Sequence, residues 1–505
     1  MARLHEWRED LHMQEAQAPS APEFRISGTI IVGIDLSASF IGFPCLLGTA
    51  APLGFRIRDS ILEIRLRLDV MPILQTFVAS LDQESTDYLS LLWSNFRESL
   101  RCSMYDFEYN IAITVPSVWP VYARKKMFQV IRKANILSDN VHLISKFIPD
   151  IEAASIALVL DLIKPLDRMQ PILRGGNVVM ICDCGGFTTE AAAYEIRTIR
   201  PLGMKQLTQR ECILVGGALI DNNFMNLLKT KIESIGQIQN VCPVSEIDLV
   251  TGQCLHMKSH FCGDRHEWTI HVPRQFGGGN AIRLSAFELA LVFDPVVDKI
   301  VNLVRSQVVS FRGCMNGLHV IIAGGFGRSP YVQTRIKQAV LELVQSPAIH
   351  CSTGDQACTA VARGAVLREL QEFRLASPDH LGKNSPYVIS RVIYTSYGVA
   401  PHPGIYWLVN EGEELSAVGP NRRQLPPRVI STTTSDSCVS NIIHACYNSR
   451  DDLQEKPLCT ITWPSTGPKA EIELDCKWDD SDMEVSVLHR GCELDGVRIE
   501  YDTSV

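Results

Sequence analysis

The sequence predicts an α/β protein of two lobes, followed by a small antiparallel β unit. Three apolar strands, GTIIVGID, NVVMICD and HVIIAGG, each run into a turn rich in glycine or serine. Amphipathic helical segments separate them, and such alternation of strands and helices is typical of α/β architecture. In the last third of the chain, alternating segments such as ELDCKWDD instead indicate antiparallel strands with one exposed face.

Composition and charge exclude several classes of protein. The chain has 505 residues, of which 46% are hydrophobic and 21% charged, which suits a globular fold. The net charge of −8 is spread without long single-sign runs, so we expect no nucleic-acid partner. The first residues mix acids and bases without an apolar block, so we expect a cytoplasmic protein, with the nucleus also open. Asp35, Pro44 and Pro52 interrupt the most apolar window, so we expect no membrane span.

In the first third of the chain, a polar tail precedes a strand, a helical region, a second strand and a helix. The tail spans residues 1–26 and ends in the proline-rich APSAPEF. The periodicity of residues 68–102 is helical, and EYNIAITV is a strand that ends before Pro116. The segment YARKKMFQVIRKANI predicts an amphipathic helix with an apolar face of Met127, Val130 and Ile131.

In the rest of the chain, a hairpin and a strand-turn-helix unit precede the β unit. NVVMICD and EAAAYEI flank CGGFTT, which predicts a strand-turn-strand hairpin. HVIIAGGFGRSPYVQTRIKQAV predicts a strand, a glycine-rich turn and a helix. Within ELDCKWDD, Leu474, Cys476 and Trp478 are expected to face inward, and Glu473, Asp475 and Lys477 to face solvent.

Four glycine- or serine-rich turns together point to a nucleotide site. Glycine lets backbone N–H groups face one concavity and lets a phosphate approach closely. The turns are IDLSAS after Asp35, DCGGFTT from Asp183, LVGGALID around Gly216 and Gly217, and AGGFGRS from Ala323. Because Mg²⁺ prefers carboxylate, water and phosphate oxygens, we expect a hydrated Mg²⁺ between Asp35 and Asp183. Any one turn, taken alone, is explained as a tight turn capped by its aspartate, but their order favours a nucleotide.

That order resembles the actin-like ATPase superfamily, which includes actin, sugar kinases and the seventy-kilodalton heat-shock chaperones (Hsp70). GIDLSASF resembles the first phosphate loop, DCGGFTTE the second, and IIAGGFGRSPYVQ the adenosine loop. TVPSVWPVYARKKMFQVIRKANI and VGGALIDNNF are similar to further chaperone stretches. ACTAVARGAVLREL is similar to the second connecting helix, where Gly364 would let two helices approach closely. The similarity covers residues 28–372 and is strongest to a divergent Hsp70-like branch with a short C-terminal β region.

The resemblance implies a two-lobed fold of ribonuclease H-like repeats that binds ATP or ADP with Mg²⁺. The nucleotide-binding domain would span 27–375, with lobe I at 27–165 and 356–372 and lobe II at 180–355. A β-rich region would span 376–505. The resemblance assigns catalysis to Asp150 and Asp183, and metal binding to Asp35 and Asp183. It assigns nucleotide binding to Asp35, Ser37, Ser39, Gly185, Gly186, Thr188, Gly216, Gly217, Lys258, Gly324, Gly325 and Arg328.

The chain departs from the family pattern at positions close to the phosphates. Ala38 replaces a threonine of the first loop, and Phe187 and Glu190 replace a glycine and the closing aspartate of the second. If position 187 needs a positive φ, a phenylalanine there is strained. Asp150 stands where the family has its catalytic glutamate, and no equivalent of the catalytic lysine is identified. Lys258 fits an adenine-facing lysine, and a solvated surface lysine explains it equally well.

Three classes of function follow from this pattern. The first is a weak, chaperone-like ATPase, or an ATP-binding protein that does not hydrolyse ATP. The second is a pseudo-ATPase scaffold that binds a protein client or partner. The third is a small-molecule kinase, against which the C-terminal β region counts. A zinc site is a further alternative, with Cys254, His256, His260, Cys262 and His266 as ligands, although their spacings match no familiar zinc pattern.

Overall fold

The computed structural model describes the chain in segments separated by gaps. The described segments are 28–35, 83–100, 107–117, 119, 121–144, 147–163, 172–234, 254–264, 266–271, 281–311, 317–352, 354–376, 386–393, 396–399, 406–417, 421–424, 428–431, 438–449, 452–465, 469–479 and 482–501. They form a mixed α/β protein with a mixed parallel and antiparallel sheet, which confirms the predicted fold class at that level. The polar tail and the first half of the helical region at 68–102 lie outside the described residues.

The first sheet has four parallel strands centred on β2. The strands are β1 (Gly28–Asp35), β2 (Phe107–Val115), β3 (Val141–Leu143) and β4 (Ile148–Pro149), and β2 pairs with each of the other three. Helices α1 (Gln83–Leu100) and α2 (Val121–Lys133) pack against this sheet. The predicted apolar face of α2 is confirmed, because it buries Met127, Val130 and Ile131.

The central sheet joins strands from the middle of the chain to two later ones. Its strands are β5 (Val178–Cys184), β6 (Thr189–Ile199), β7 (Leu202–Gln206), β8 (Glu211–Ile213), β11 (Leu318–Ala323), β12 (Ala348–Cys351), β13 (Tyr387–Val392) and β16 (Glu414–Ser416). Their order is β12-β11-β5-β6-β7-β13-β16, with β8 paired to β6. The predicted hairpin is confirmed as antiparallel β5 and β6, whereas β5, β11 and β12 are mutually parallel.

Five helices and an antiparallel ribbon accompany the central sheet. The helices are α3 (Asp150–Ile163), α4 (Gly217–Ser234), α5 (Ala286–Ser310), α6 (Pro330–Leu343) and α7 (Gly354–Ala376). The ribbon pairs β9 (Trp268–His271) with β10 (Ala281–Leu284), and residues 254–260 are also helical. The predicted strand-turn-helix unit is confirmed as β11, the short 3₁₀ helix Phe326–Arg328, and α6.

Helices α3 and α7 cross at a glycine. A Cβ atom at Gly364 would lie 1.7 Å from the backbone oxygen of Ala153, so only glycine permits this approach. Gly33 of β1 is similarly close to α7, because its Cβ would lie 2.3 Å from the Ala362 oxygen. The close helix approach predicted for Gly364 is therefore confirmed. The crossing lies in a core shared by β2, α3, α7 and the central sheet.

A buried glutamate with three arginines ties α3 to the central sheet. Glu152 is fully buried, and Arg391 of β13 donates two hydrogen bonds of 2.7 Å to its two oxygens. Arg368 of α7 donates a third at 3.0 Å, and Arg210 lies 3.4 Å away. Burial alone would raise the pKa of Glu152, but the three guanidinium groups hold it well below its usual range. This cluster fixes the first turn of α3, where Asp150 lies.

The β unit at the end of the chain consists of two five-stranded sheets. One contains β14 (Ser396–Val399), β15 (Tyr406–Val409), β19 (Cys438–Ser449), β20 (Asp452–Pro464) and β24 (Arg498–Tyr501). The other contains β17 (Asn421–Gln424), β18 (Arg428–Ser431), β21 (Lys469–Asp479), β22 (Asp482–His489) and β23 (Cys492–Glu493). All pairings in both sheets are antiparallel, as predicted. However, β13 and β16 follow residue 376 and belong to the central sheet, so the region 376–505 shares that sheet.

One residue of β21 differs from its prediction. Leu474 and Cys476 are buried as expected, but Asp475, expected to face solvent, is only 2% exposed. Arg422 of β17 donates from Nε to both Asp475 oxygens, at 2.6 and 2.7 Å. An arginine that reaches across from the neighbouring strand supplies the partner that a buried carboxylate requires.

Candidate functional site

The two aspartates predicted to bind Mg²⁺ end corresponding strands of the two sheets. Asp35 is the last residue of β1 and is 4% exposed. Asp183 is the next-to-last residue of β5 and is half-buried. The two carboxylates interact electrostatically, because Asp35 contributes to the raised pKa of Asp183. The structure therefore brings together two residues that are far apart in the sequence.

Asp150, predicted as catalytic, lies with this pair. It begins α3 directly after β4 and is 6% exposed. Burial raises the pKa of Asp150 well above its usual range, and the charges of Asp35, Glu190 and Asp183 raise it further, against a hydrogen bond from Thr114. Its buried Oδ1 has no hydrogen-bond partner among the described residues. An unsatisfied buried carboxylate oxygen is costly and points to a ligand that supplies a donor or a cation.

Glu190 completes a group of four carboxylates, which we call the acidic cluster: Asp35, Asp150, Asp183 and Glu190. Sequence reasoning treated Glu190 only as a replacement for the family's closing aspartate. It is 3% exposed and accepts hydrogen bonds from Ser117, one from the backbone N–H and one from the hydroxyl, both at 2.9 Å. Burial raises the pKa of Glu190, and these hydrogen bonds partly offset that effect.

The acidic cluster concentrates negative charge where water is scarce. Burial, Glu190 and Asp35, in that order, raise the pKa of Asp183 to about 7. Like charges at short range in a protein interior repel strongly, so the ionised cluster destabilises its surroundings. A bound divalent cation would relieve that repulsion, and the carboxylate oxygens suit Mg²⁺ in particular.

The two middle turns interlock backbone to backbone. Gly185 donates its N–H to the Thr188 carbonyl at 2.8 Å, while its own carbonyl accepts from Gly217 at 3.1 Å. Ala218 donates to the Gly186 carbonyl at 2.8 Å. A Cβ at Gly216 would lie 2.4 Å from the Gly186 oxygen, so glycine is required there. The predicted residues Gly185, Gly186, Thr188, Gly216 and Gly217 thus form one structure at the start of α4.

The turn after β11 lies against Asp183. Gly324 has a left-handed φ of +81°, and a Cβ there would lie 2.3 Å from Oδ1 of Asp183. Gly325 is exposed, with open space where its Cβ would point, and Arg328 is exposed at the end of the 3₁₀ helix. The structure therefore places these three residues at the end of β11, which pairs with β5 at Asp183.

Three further predicted residues give different outcomes. Ser37 and Ser39, with Ala38 between them, lie outside the described residues. Lys258 forms an ion pair with Asp221 of α4, with its Nζ 2.7 Å from Oδ1 and 2.8 Å from Oδ2. This contact assigns Lys258 a partner within the protein that neither the adenine nor the solvated-surface interpretation anticipated.

Phe187 is exposed and carries no left-handed strain. Its side chain is 37% exposed, so it is not a core residue. The described non-glycine residues with positive φ are Asn135, Ser346 and Arg490, so the strain considered for Phe187 is absent. The ring is therefore exposed to solvent at the turn that bears Gly185 and Gly186.

Direct metal coordination is limited. Within the described part of the chain, no three His, Cys, Asp or Glu side chains are grouped to hold a metal ion. A metal ion at the acidic cluster would therefore have at most two protein carboxylates as ligands, with water completing its coordination. Of the five residues considered for zinc, Cys254 donates its thiol to Asp221, and His260 Nδ1 lies 2.8 Å from the His256 carbonyl oxygen.

Comparison with known proteins identifies no relative, because no protein-family model matches the chain and no curated protein is significantly similar to it. Among the described helices, none combines the length and apolarity needed to cross a membrane.

Proposed function

We propose that this chain is an Hsp70-like member of the actin-like ATPase superfamily that binds ATP with Mg²⁺ and hydrolyses it slowly or not at all. The acidic cluster carries the proposal. Asp35 ends a strand of the first sheet, Asp183 and Glu190 lie in the central sheet, and Asp150 begins α3. The glycine turns that follow β5 and β11 lie beside Asp183. Asp150 also presents a buried oxygen with no hydrogen-bond partner. Burial and neighbouring carboxylates raise the pKa values of Asp150 and Asp183, whereas three arginines lower the pKa of the buried Glu152.

The order of elements supports a two-lobed fold of ribonuclease H-like repeats. In the first sheet, β1 pairs in parallel with β2, α2 leads to the parallel strand β3, and α3 follows. In the central sheet, β5 pairs in parallel with β11, α6 leads to the parallel strand β12, and α7 follows. Corresponding helices α3 and α7 then cross at Gly364. We regard the first unit, together with α7, as lobe I, and the rest of the second unit as lobe II.

Each residue of the site has a proposed role. Asp35 and Asp183 would hold hydrated Mg²⁺, which supplies positive charge to the phosphate oxygens. Asp150 would orient the water that attacks the γ-phosphate. The interlocked turns at Gly185 and Gly216 would lie beside the phosphates. The exposed Arg328 is suited to stacking on the adenine ring, with Gly325 leaving room for it.

The same geometry favours slow hydrolysis. The N–H groups of Gly185, Gly217 and Ala218 are already bonded within the protein, so they are not available to phosphate oxygens. Phe187 adds an exposed ring to this turn. Loss of one preorganised donor typically slows such a reaction by about 10²- to 10³-fold. Binding tolerates these losses better, because Mg²⁺ and the adenine contacts remain.

A scaffold that binds a protein partner is the second candidate. Phe287 and Leu291 lie one turn apart on α5 and are 72% and 57% exposed. Neighbouring exposed apolar side chains are more typical of a binding surface than of a plain enzyme exterior. In that case the nucleotide site would regulate the partner, or would have lost its role.

A thermal-shift measurement with ATP or ADP, with and without Mg²⁺, tests the proposal. Ligand at 100 times its Kd stabilises a protein by about 2.7 kcal/mol, which for a domain of about 350 residues raises Tm by roughly 4 °C. We expect this shift only when Mg²⁺ is present. Asp35→Asn should abolish it, whereas Asp139→Asn, an exposed control on a turn of lobe I, should retain it. Absence of any nucleotide shift, or an equal shift in the Asp35 variant, would contradict the proposal.

A further inference from the structure

A pair of hydrogen bonds joins the two lobes beside the proposed Mg²⁺ site. Ser117 donates its backbone N–H to Oε1 of Glu190 and its hydroxyl to Oε2, both at 2.9 Å. The two residues are 73 positions apart: Ser117 follows β2, and Glu190 lies in β6. We propose that Ser117 and Glu190 are positioning residues that set the distance between Asp35 and Asp183, and so determine the affinity of the site for Mg²⁺. This inference rests on the proposed nucleotide function.

Strand register places this pair directly between the two aspartates. In the first sheet, Asp35 pairs with Thr114, three residues before Ser117. In the central sheet, Asp183 pairs with Glu190 itself. Each end of the Ser117–Glu190 contact is therefore anchored to the strand beside one aspartate. Any relative movement of Asp35 and Asp183 must stretch or break this contact.

Both partners are held firmly in place. Ser117 follows Pro116, whose φ is fixed and whose carbonyl accepts from Trp119 at 3.0 Å, so the turn is well defined. Glu190 follows Thr189, whose hydroxyl donates to the Val215 carbonyl at 2.7 Å. Cys212, opposite Glu190 on β8, donates its thiol to the same carboxylate. Because the contact joins a well-defined turn to the anchored start of β6, it can hold the two strands at a fixed distance, which a contact between mobile side chains could not do.

The same hydrogen bonds make Glu190 a poor candidate for a direct Mg²⁺ ligand. Each of its oxygens already accepts a hydrogen bond, and the side chain is 3% exposed. A carboxylate engaged in this way is a poor direct ligand, because binding a cation would cost it those bonds. Its charge still reaches Asp150 and Asp183. Glu190 would therefore affect Mg²⁺ binding indirectly, because it holds the neighbouring aspartates in place and its charge raises their pKa values.

Two substitutions and a rescue test this role. Ser117→Ala removes the hydroxyl donor, and Glu190→Asp keeps the charge but shortens the reach by one methylene. Ser117→Thr keeps the hydroxyl and should restore parental behaviour. Ser138→Ala is the matched control, because its hydroxyl donates to Asn140 at an exposed turn of the same lobe.

The first readout is the Mg²⁺ concentration that gives half of the ATP-dependent thermal shift. We expect this concentration to rise by about tenfold in Ser117→Ala and Glu190→Asp. Each variant loses about one hydrogen bond to a charged group, and such a loss typically changes an equilibrium by about that factor. At saturating Mg²⁺ the shift itself should recover to the parental size. An unchanged Mg²⁺ requirement, or a weaker nucleotide affinity that saturating Mg²⁺ does not correct, would overturn the proposal.

The second readout needs no nucleotide and separates this inference from the proposed function. Amide hydrogen exchange in residues 111–117 and 189–195 of the free protein should be faster by about tenfold in both variants and unchanged in Ser138→Ala. Unchanged exchange in Ser117→Ala would overturn the positioning role. Faster exchange in a protein whose parent shows no ATP shift would support the contact and refute the nucleotide function instead.

Discussion

Replacement of Asp183 by asparagine should stabilise the free protein at alkaline pH. Burial and the neighbouring carboxylates raise the pKa of Asp183 from the usual aspartate value of 3.8 to about 7. The folded protein therefore holds this proton more tightly than the unfolded chain does. The resulting stabilisation is complete below pH 4 and is lost as the pH rises through 7. Between pH 5 and pH 7, the unfolded chain has lost this proton while the folded protein keeps it. Over these two pH units the stabilisation falls by roughly 3 kcal/mol, and it changes little between pH 7 and pH 8.

Urea denaturation of the parent and of Asp183→Asn at pH 5 and pH 8, without Mg²⁺, measures this effect. The free energy of unfolding of the variant, relative to the parent, should be higher at pH 8 than at pH 5 by about 3 kcal/mol. The comparison between the two pH values cancels the constant cost of the amide substitution. Asp139→Asn, on an exposed turn, should show no such difference. An equal pH dependence in the parent and Asp183→Asn would refute the buried-charge argument.

Three further predictions concern single residues of the site and its support. Phe187→Gly should raise the rate of single-turnover ATP hydrolysis by at least about tenfold, which corresponds to 1.4 kcal/mol of barrier. It should cost little stability, because the ring is exposed. An unchanged rate would assign slow hydrolysis to the missing lysine. Gly325→Val should abolish ATP binding in calorimetry. Tm should stay within a few degrees, because the added Cβ enters open space and φ at this position is −61°. Retained binding would give that turn another role. Gly364→Ala should destabilise the protein by at least about 3 kcal/mol in urea denaturation, because the added Cβ would overlap the Ala153 carbonyl. Unchanged stability would contradict the observed helix crossing.

Features encoded in local sequence were predictable. The hairpin of β5 and β6, the strand-turn-helix unit of β11 and α6, and the apolar face of α2 all follow from periodicity and turn residues. The close approach at Gly364 followed from the resemblance to a connecting helix. In each case the residues that determine the structure are near one another in the chain.

Features that depend on partners distant in the sequence were not predictable. The contact of Ser117 with Glu190 requires the first sheet and the central sheet to meet, and neither residue carries a local signal for it. Asp475 has the alternation of an exposed residue and is buried only because Arg422 lies on the paired strand. Lys258 likewise acquires Asp221 through the packing of two helices. The one available signal was chemical: the glutamate at position 190 differs from the pattern of the family that the sequence resembles.

The membership of β13 in the central sheet was also outside the reach of local patterns. The change of character after residue 372 correctly indicates a β-rich region, but alternation cannot say which sheet a strand joins. Strand β13 pairs in parallel with β7, and its Arg391 completes the shell around Glu152. Both interactions link residues far apart in sequence.

The cluster around Glu152 also bears on how the protein is made. Arg391, which supplies two of the hydrogen bonds to Glu152, follows it by 239 residues. At roughly 5–20 residues per second, the ribosome needs about 12–48 s to synthesise that interval. Throughout this time α3 lacks its main countercharge and cannot bury its first turn at low cost. We therefore expect α3 to remain incompletely packed on the ribosome until β13 emerges.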